Sequence, residues 1–191
     1  MNEDIRIWQS FVEGDKAAFE YIVQTYYTTL FDYGSRFSSD RELVKDQIHD
    51  LFTNLWDRRT HLSTVDQIKP YLLKSIRNKL FKIYRRSETF LDIDNYEDQI
   101  LTDDSIEMQM ITEESVGEAE RKITCILAQL TRRQREIIHL KFYENLSNEE
   151  IASVLLISRG AVANLLYHAL RVIKDKWKVS LYTVIFLILF V

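Results

Sequence analysis

Turn-forming residues are scarce in this sequence, which contains one proline and four glycines among 191 residues. Tight turns between β-strands depend on these two residue types, so a protein built from many short strands is disfavoured. Apolar residues make up 46% of the chain and recur at helical spacing in most of it. We therefore predict an all-α fold with two helical domains joined by a flexible linker.

The first domain is predicted over residues 1–87, where three long segments have a helical period. They read GDKAAFEYIVQTYYTTLFDYGSRF, DRELVKDQIHDLFTNLWDRR and KPYLLKSIRNKLFKIYRR. Pro70 falls in the first turn of the third helix, where proline is tolerated. The buried stripe of the second helix is predicted to hold Ile48 and Leu55, with Leu43 or Val44 and Leu51 or Phe52.

Charge is distributed unevenly along the chain, although its formal sum is only −4. Residues 88–120 contain 12 acidic residues and no basic one, which leaves 25 basic against 17 acidic residues elsewhere. Such asymmetry is more informative than the sum. We predict an acidic, extended linker at 88–117. One module lies on each side of it, and both modules could bind a polyanion.

A helix-turn-helix is predicted within residues 118–178. Ser147 followed by Glu150 forms a capping box that starts one helix at Asn148, and Ser158 can cap the next. Leu156 stands where such turns favour glycine, since the backbone there often needs a positive φ. The outward residues of the second helix would enter a major groove; they are Arg159, Gly160, Ala163, Asn164, Tyr167, His168 and Arg171. An ordinary helical hairpin is the alternative.

The third helix of the first domain is strongly basic. Residues 69–86 contain seven basic residues and no acidic one. A face of one sign repels itself and favours a polyanion partner, although a solvated face is the plainer reading. Interleaved aromatic residues would suit unstacked bases. The preceding loop offers Arg58, Arg59 and His61 beside this surface.

The second helix carries a different outer face. Asp46, Asp50, Asn54 and Asp57 recur about once per turn. Acidic residues do not face DNA, so this face either is solvated or binds a protein.

No constellation of catalytic residues is found in the sequence. Its four histidines are scattered, and neither a glycine-rich phosphate loop nor a metal-ligand spacing occurs. The lone Cys125 lies on an apolar helix stripe, which indicates a core position rather than a nucleophile. We predict that the chain is not an enzyme and has no catalytic residue, cofactor or metal. The amino end shows no secretory signal, and we expect a cytoplasmic protein.

In this order, these segments resemble an RNA polymerase sigma factor of the extracytoplasmic-function group, over most of residues 8–178. LVKDQIHDLFTNLW is similar to the polymerase-binding helix of the family. KPYLLKSIRNKLFKIYRR is similar to the helix that ends in paired arginines. LAQLTRRQREIIHLKFYENLSNEEIASVLLISRGAVANLLYHAL resembles region four, the reader of the upstream promoter element.

The resemblance implies a role for each surface, with core RNA polymerase, promoter DNA and an anti-sigma factor as partners. Polymerase would bind Asp46, His49, Asp50 and Asn54. The downstream promoter element would be opened and held by Arg58, Arg59, His61, Lys74, Arg77, Asn78, Lys82, Arg85 and Arg86. The upstream element would be read by Ser158, Arg159, Gly160, Ala163, Asn164, Tyr167, His168 and Arg171. Residues 1–87 would be region two and residues 118–178 region four.

Some positions depart from the family pattern. His49 stands at a usual glutamine, Lys45 at a usual carboxylate and Thr131 at a common proline. Ala161, Ala163 and Leu165 replace residues that are often threonine or basic. A stand-alone helix-turn-helix regulator is the alternative function.

The last segment, 179–191, reads VSLYTVIFLILFV and contains no charged residue. As a helix it would be roughly 20 Å long, short of the ~30 Å hydrocarbon core of a bilayer. It could pack on region four or on a partner protein, contact a membrane surface, or form a true span.

Overall fold

The computed structural model describes residues 3–87 and 125–190, without the side chains of residues 84–87 and 177–190. All regular structure in these two ranges is helical, which confirms the all-α prediction. The chain divides into two compact units, the first formed largely by the residues up to Ser87 and the second largely by those from Cys125. The acidic linker predicted at 88–117 lies outside the described residues.

Four α-helices form the first unit. They are α1 (Glu3–Val12), α2 (Lys16–Gly34), α3 (Arg41–Asp57) and α4 (Ile68–Ser87), and a 3-10 turn at Arg59–His61 follows α3. Carboxylates begin three of them. Asp15 accepts a hydrogen bond from the Ala17 amide at 2.8 Å, and Asp40 accepts one from the Leu43 amide at 3.0 Å. For α4 the acceptor is Asp4 of α1, 2.9 Å from the Ile68 amide, so α1 helps to hold the basic helix in place.

The core of the first unit is aromatic at one end and aliphatic along the helices. The aromatic end contains Trp8, Phe11, Phe19 and Trp56, whose rings lie 5.0–6.4 Å apart. The stripe predicted for α3 is confirmed, since Val44, Ile48, Leu51, Phe52 and Leu55 are all buried. At Gly34, an added Cβ would lie 2.8 Å from Val44 Cγ1. Glycine therefore permits the close crossing of α2 and α3.

The second unit contains a helical stretch at 125–128, then α5 (Arg132–Ile138), a π-helical turn at His139–Tyr143, α6 (Asn148–Leu155) and α7 (Arg159–Phe190). Helix α5 packs against α7. Thr131 begins α5 with a full capping box: its hydroxyl accepts from the Gln134 amide at 3.2 Å, and Gln134 Oε1 accepts from the Thr131 amide at 3.0 Å. Threonine thus replaces the common proline without loss of a helix start.

Within the described residues, no single helix is long and apolar enough to cross a membrane. The pair formed by Asn148–Leu155 and Arg159–Lys176 meets that criterion only when its two helices are taken together, and they are bent by 102°. Helix α7 runs on through most of the uncharged segment, to Phe190.

Candidate nucleic-acid and protein interfaces

The turn between α6 and α7 has helix-turn-helix geometry. Ser147 and Glu150 form the predicted capping box, and the Ser158 hydroxyl accepts from the Ala161 amide at 3.1 Å. Leu156 ends α6 in the left-handed conformation, with φ 57° and ψ 39°. A residue with a Cβ loses roughly 1–2 kcal/mol there, and the Leu156 side chain, 61% exposed, regains little by burial. The motif therefore forms with leucine at the position that favours glycine.

Helix α7 has one buried and one exposed side over its first four turns. Val162, Leu166 and Ala169 are buried. All seven residues predicted to face outward are exposed: Arg159, Gly160, Ala163, Asn164, Tyr167, His168 and Arg171. Ser158 is exposed as well, but its hydroxyl is used as the helix cap. The residues predicted to read DNA thus share one exposed side of α7.

Both arginines of this face lie near carboxylates of their own unit. Arg159 Nε is 3.0 Å from Glu149 Oε1, and Arg171 Nε is 3.8 Å from Asp175 Oδ2. These side chains are between 59% and 73% exposed, so each pair is weak in water. The pairing nevertheless lowers the positive potential that this face offers to phosphates.

The outer face of α3 is exposed at Asp46, His49, Asp50 and Asn54, the four residues predicted to bind polymerase. The Asn54 amide donates to the Asp50 carbonyl oxygen one turn earlier. Two neighbours were missed by sequence reasoning. Tyr27 of α2 meets the His49 ring edge-on at 6.2 Å, and Lys79 of α4 lies 3.8 Å from Asp50. Each contact joins residues of two different helices. Because these residues are far apart in the sequence, helical periodicity does not predict that they meet.

The basic helix α4 presents fewer side chains than its sequence suggests. Lys82 and Asn78 are exposed, and Lys74 is half-buried. Arg77 is only 4% exposed, and its guanidinium lies 4.4 Å from the centre of the Phe81 ring. The prediction that Arg77 belongs to the outer basic surface is therefore wrong, because its guanidinium stacks on an aromatic ring in a buried position. For Arg85 and Arg86 only the helical backbone is described.

In the loop before α4, as in α4 itself, only some of the residues predicted to contact DNA are exposed. Arg58 and His61 are exposed, and Thr60 Oγ1 lies 3.1 Å from His61 Nδ1. Arg59 is half-buried: Nη1 donates to the Trp56 carbonyl at 2.8 Å, and its guanidinium lies 4.4 Å from the centre of the Trp56 ring. Arg59 is therefore anchored within the unit, whereas Arg58 and His61 face solvent.

Two half-buried tyrosines of the first unit have shifted pKa values. Burial raises the pKa of Tyr26 to about 12, and the nearby Asp4 carboxylate adds to the effect. Burial also raises the pKa of Tyr71, whose ring packs edge-on against Trp8 at 5.1 Å. Both remain neutral at physiological pH. Tyr71 thus belongs to the packing around Trp8 rather than to a surface that stacks on bases.

Cys125 is exposed, which corrects the prediction of a core position. The residues of its turn that are buried are Ile126 and Leu130. His139 is buried in the π-helical turn, 3.2 Å from Glu144 Oε1 and stacked on Tyr143 at 5.3 Å. In the ranges 3–87 and 125–190, no cluster of three or more His, Cys, Asp or Glu side chains could hold a metal ion.

Comparison with known proteins gives one family and two related folds. Residues 120–173 match the family described as sigma-70, region 4. The structure of CnrH in complex with the cytosolic domain of CnrY is similar at 19% identity, with a TM-score of 0.61, over 92% of this chain and 97% of that one. The sigma factor RpoE of Bartonella quintana, solved with the anti-sigma factor NepR, is similar at 18% identity, with a TM-score of 0.57, over 84% of this chain and 97% of that one. No curated protein sequence matches the chain.

The family match covers the helix-turn-helix with its exposed reading face, and the two solved structures have the same fold as this chain. The matched family consists of transcription factors rather than enzymes. The match confirms the predicted resemblance to sigma factors over residues 120–173, and the two solved structures share the fold of the chain.

Proposed function

We propose that this chain is a promoter-specificity subunit, which binds core RNA polymerase and directs it to promoter DNA that it recognises and melts. The observation that carries the proposal is the coincidence of the region 4 match with a helix-turn-helix whose reading face is exposed. The chain acts by binding and positioning and has no catalytic group of its own. It works in the cytoplasm, where bacterial polymerase and promoters are.

The proposed organisation follows the order of the segments. Residues 1–87 act as sigma region two, 88–117 as an acidic linker, and 118–178 as region four, followed by the hydrophobic tail at 179–191. A protein inhibitor of the anti-sigma kind is a further proposed partner, because the similar RpoE was solved with one.

Polymerase binds the exposed face of α3 in this proposal. Asp46 and Asp50 give it negative charge, and His49 and Asn54 add hydrogen-bonding groups. The Tyr27 ring, edge-on to His49, limits the directions in which the imidazole can point. Such a mixed face is suited to a basic protein surface, where charge complementarity raises the association rate and sets the register.

The basic surface around α4 opens and holds the downstream element. Lys82, Asn78, Arg58 and His61 are its exposed members, Lys74 is half-buried, and Arg85 and Arg86 extend the helix. Unstacking a base costs a few kcal/mol per step, and contacts with the separated strand can offset that cost. Arg59 and Arg77 act indirectly, since stacking on Trp56 and Phe81 holds the loop and the helix in shape.

The exposed face of α7 reads the upstream element as duplex DNA. The exposed Asn164 amide can pair with an adenine edge, and Arg159 can bind guanine once it leaves Glu149. The few cations on this face make its contact weak on its own. Polymerase supplies the rest of the affinity, because two tethered contacts bind as one unit.

The test is transcription by purified core polymerase with this protein and a library of promoter fragments, followed by sequencing of the transcripts. We expect new transcripts that share a two-part upstream motif. A folded protein, free of inhibitor, that adds no initiation would overturn the proposal and would favour a stand-alone regulator that binds duplex without polymerase.

The polymerase face is tested by an Asp46→Lys/Asp50→Lys variant in a core-binding assay. We expect binding to fall by at least about tenfold, since two favourable charges become repulsive. Glu20→Lys/Asp32→Lys is the matched control, because it makes the same charge change at two exposed positions of α2 outside the proposed face. Equal losses in both variants would contradict the assignment.

A further inference from the structure

Helix α7 changes character along its length. Val162, Leu166 and Ala169 are buried, and Val172 and Ile173 are half-buried. Lys174, Asp175 and Lys176 are all exposed, yet the helix continues without a break to Phe190. The apolar stripe of α7 is therefore followed by an exposed, charged stretch before the uncharged segment begins.

The composition of the segment after this point is that of a helix that needs apolar surroundings on every side. Residues 184–191 read VIFLILFV, eight apolar residues in succession. A helix that docks on a protein needs only an apolar stripe and keeps polar residues on its other side, whereas a helix that is apolar all round is buried in a large core or in lipid.

The residues that precede the segment carry positive charge. Lys174 and Lys176 are exposed, and the sequence adds Lys178 and the aromatic Trp177. Asp175 is the sole acidic residue from 172 to 191, and it lies 3.8 Å from Arg171. Lysine beside tryptophan at the edge of an apolar helix is the pattern of a lipid–water interface, and lysine is attracted to anionic headgroups.

We propose that residues 174–190 bind an anionic phospholipid bilayer, with the lysines at the headgroups and the uncharged helix in the acyl region. The helical part at 179–190 is about 18 Å long at 1.5 Å per residue, enough to reach through one leaflet of a ~30 Å hydrocarbon core. This binding goes beyond the proposed function and does not depend on it.

The position of the segment on α7 has a consequence for DNA reading. Arg171, at the end of the reading face, is eight residues from Val179, or about 12 Å along the helix. That distance exceeds the ~8 Å screening length at physiological salt, but it lies well within the ~30 Å screening length at 0.01 M salt. At low salt an anionic bilayer holding the segment therefore repels DNA from the reading face, so that membrane binding and promoter binding compete.

The test is flotation of the full-length chain with vesicles of phosphatidylethanolamine and phosphatidylglycerol, compared with vesicles of phosphatidylcholine. We expect flotation with the anionic vesicles only, weakened by salt. Lys174→Gln/Lys176→Gln should bind roughly 25-fold more weakly, at about fivefold for each lysine. Arg6→Gln/Lys16→Gln, the same charge change on exposed residues of the first unit, should float as the unmodified chain does.

An Ile185→Asp/Ile188→Asp variant should lose flotation and keep the transcription activity of the unmodified chain. Three outcomes would overturn the proposal: no flotation of the unmodified chain, equal flotation with both kinds of vesicle, or flotation retained by this variant. If the unmodified chain forms an oligomer that the variant does not, and neither floats, the segment binds a second copy instead. Failure of transcription with flotation intact would count against the proposed function alone.

Discussion

The basic helix α4 and the reading helix α7 both present cations, but they are built in different ways. Over residues 69–86, α4 has seven basic residues and no acidic one, and its Lys79 lies 3.8 Å from Asp50 of α3. On α7, Arg159 and Arg171 each lie near a carboxylate of their own unit. The basic surface of α4 can bind any polyanion. On α7, selectivity depends on the few side chains that can reach base edges. The function that we propose uses both kinds of contact.

The largest expected effect is on α4. Asn78→Asp/Lys82→Glu makes the charge at two exposed positions more negative by three units. We expect transcription from duplex promoters to fall by roughly 100-fold, because the separated strand is repelled. A template opened in advance over the downstream element should recover most of the loss.

The control for α4 has the same charge change elsewhere. Gln9→Glu/Lys16→Glu alters two exposed residues of α1 and α2 and should leave both templates transcribed normally. An α4 variant that fails equally on duplex and opened templates would mean that α4 acts before melting.

On α7 the expected change is one of selectivity. Asn164→Ala should lower initiation from the preferred promoter by about 5- to 100-fold, since a bidentate base contact contributes ~1–3 kcal/mol of discrimination. In a promoter library the preference should relax at a single upstream position. Phe142→Ala, an exposed position in the π-helical turn outside the reading face, is the control. A uniform loss over all promoters would show that Asn164 supports the helix and does not read a base.

The features that could be predicted from the sequence are those set within one helix. The α3 stripe around Ile48, the capping box at Ser147 and the outward side of α7 follow from periodicity and local hydrogen bonds. The burial of Arg77, whose guanidinium stacks on the Phe81 ring, could not be predicted. In a run of lysines and arginines, the sequence does not indicate which side chain is buried. Tyr27 was missed for a similar reason, because its contact with His49 depends on how α2 and α3 cross.

The two units should respond differently when a methyl group is added to a glycine. Gly34→Ala in the first unit brings a Cβ within 2.8 Å of Val44 Cγ1 and should cost about 1–3 kcal/mol of stability. Gly160→Ala in α7 meets only the Ser158 hydroxyl, at 3.9 Å, and should raise stability by roughly 0.5–1 kcal/mol through helix propensity. Urea unfolding followed by circular dichroism measures both. A neutral Gly34→Ala would contradict the close crossing of α2 and α3.

A smaller gain in stability is expected at the turn of the second unit. Leu156→Gly removes the strain of a left-handed residue that is 61% exposed and should stabilise the chain by up to about 1 kcal/mol. Asn145→Gly is the matched control: Asn145 also has a positive φ, 56°, but asparagine tolerates it, so the gain should be less. Thermal unfolding compares the two, and a larger gain for Asn145→Gly would reverse the explanation.

The smallest effect tests the contrast between α4 and α7 most directly. Arg159 must leave Glu149 before it can bind a base or a phosphate, so the carboxylate competes with DNA. Glu149→Gln removes that competition, and duplex binding by the free protein should strengthen by a few-fold, since an exposed pair contributes ~0.2–1 kcal/mol. Asp175→Asn should help less, because Asp175 lies farther from its arginine, at 3.8 Å against 3.0 Å. Fluorescence anisotropy at low salt resolves such changes, and the difference should shrink as salt screens the pair. The contrary result would be that Glu149→Gln leaves DNA binding unchanged while Asn164→Ala weakens it. Arg159 would then not contact DNA. The low affinity of α7 for DNA would result from its small number of contacts and not from the pairing of Arg159 with Glu149.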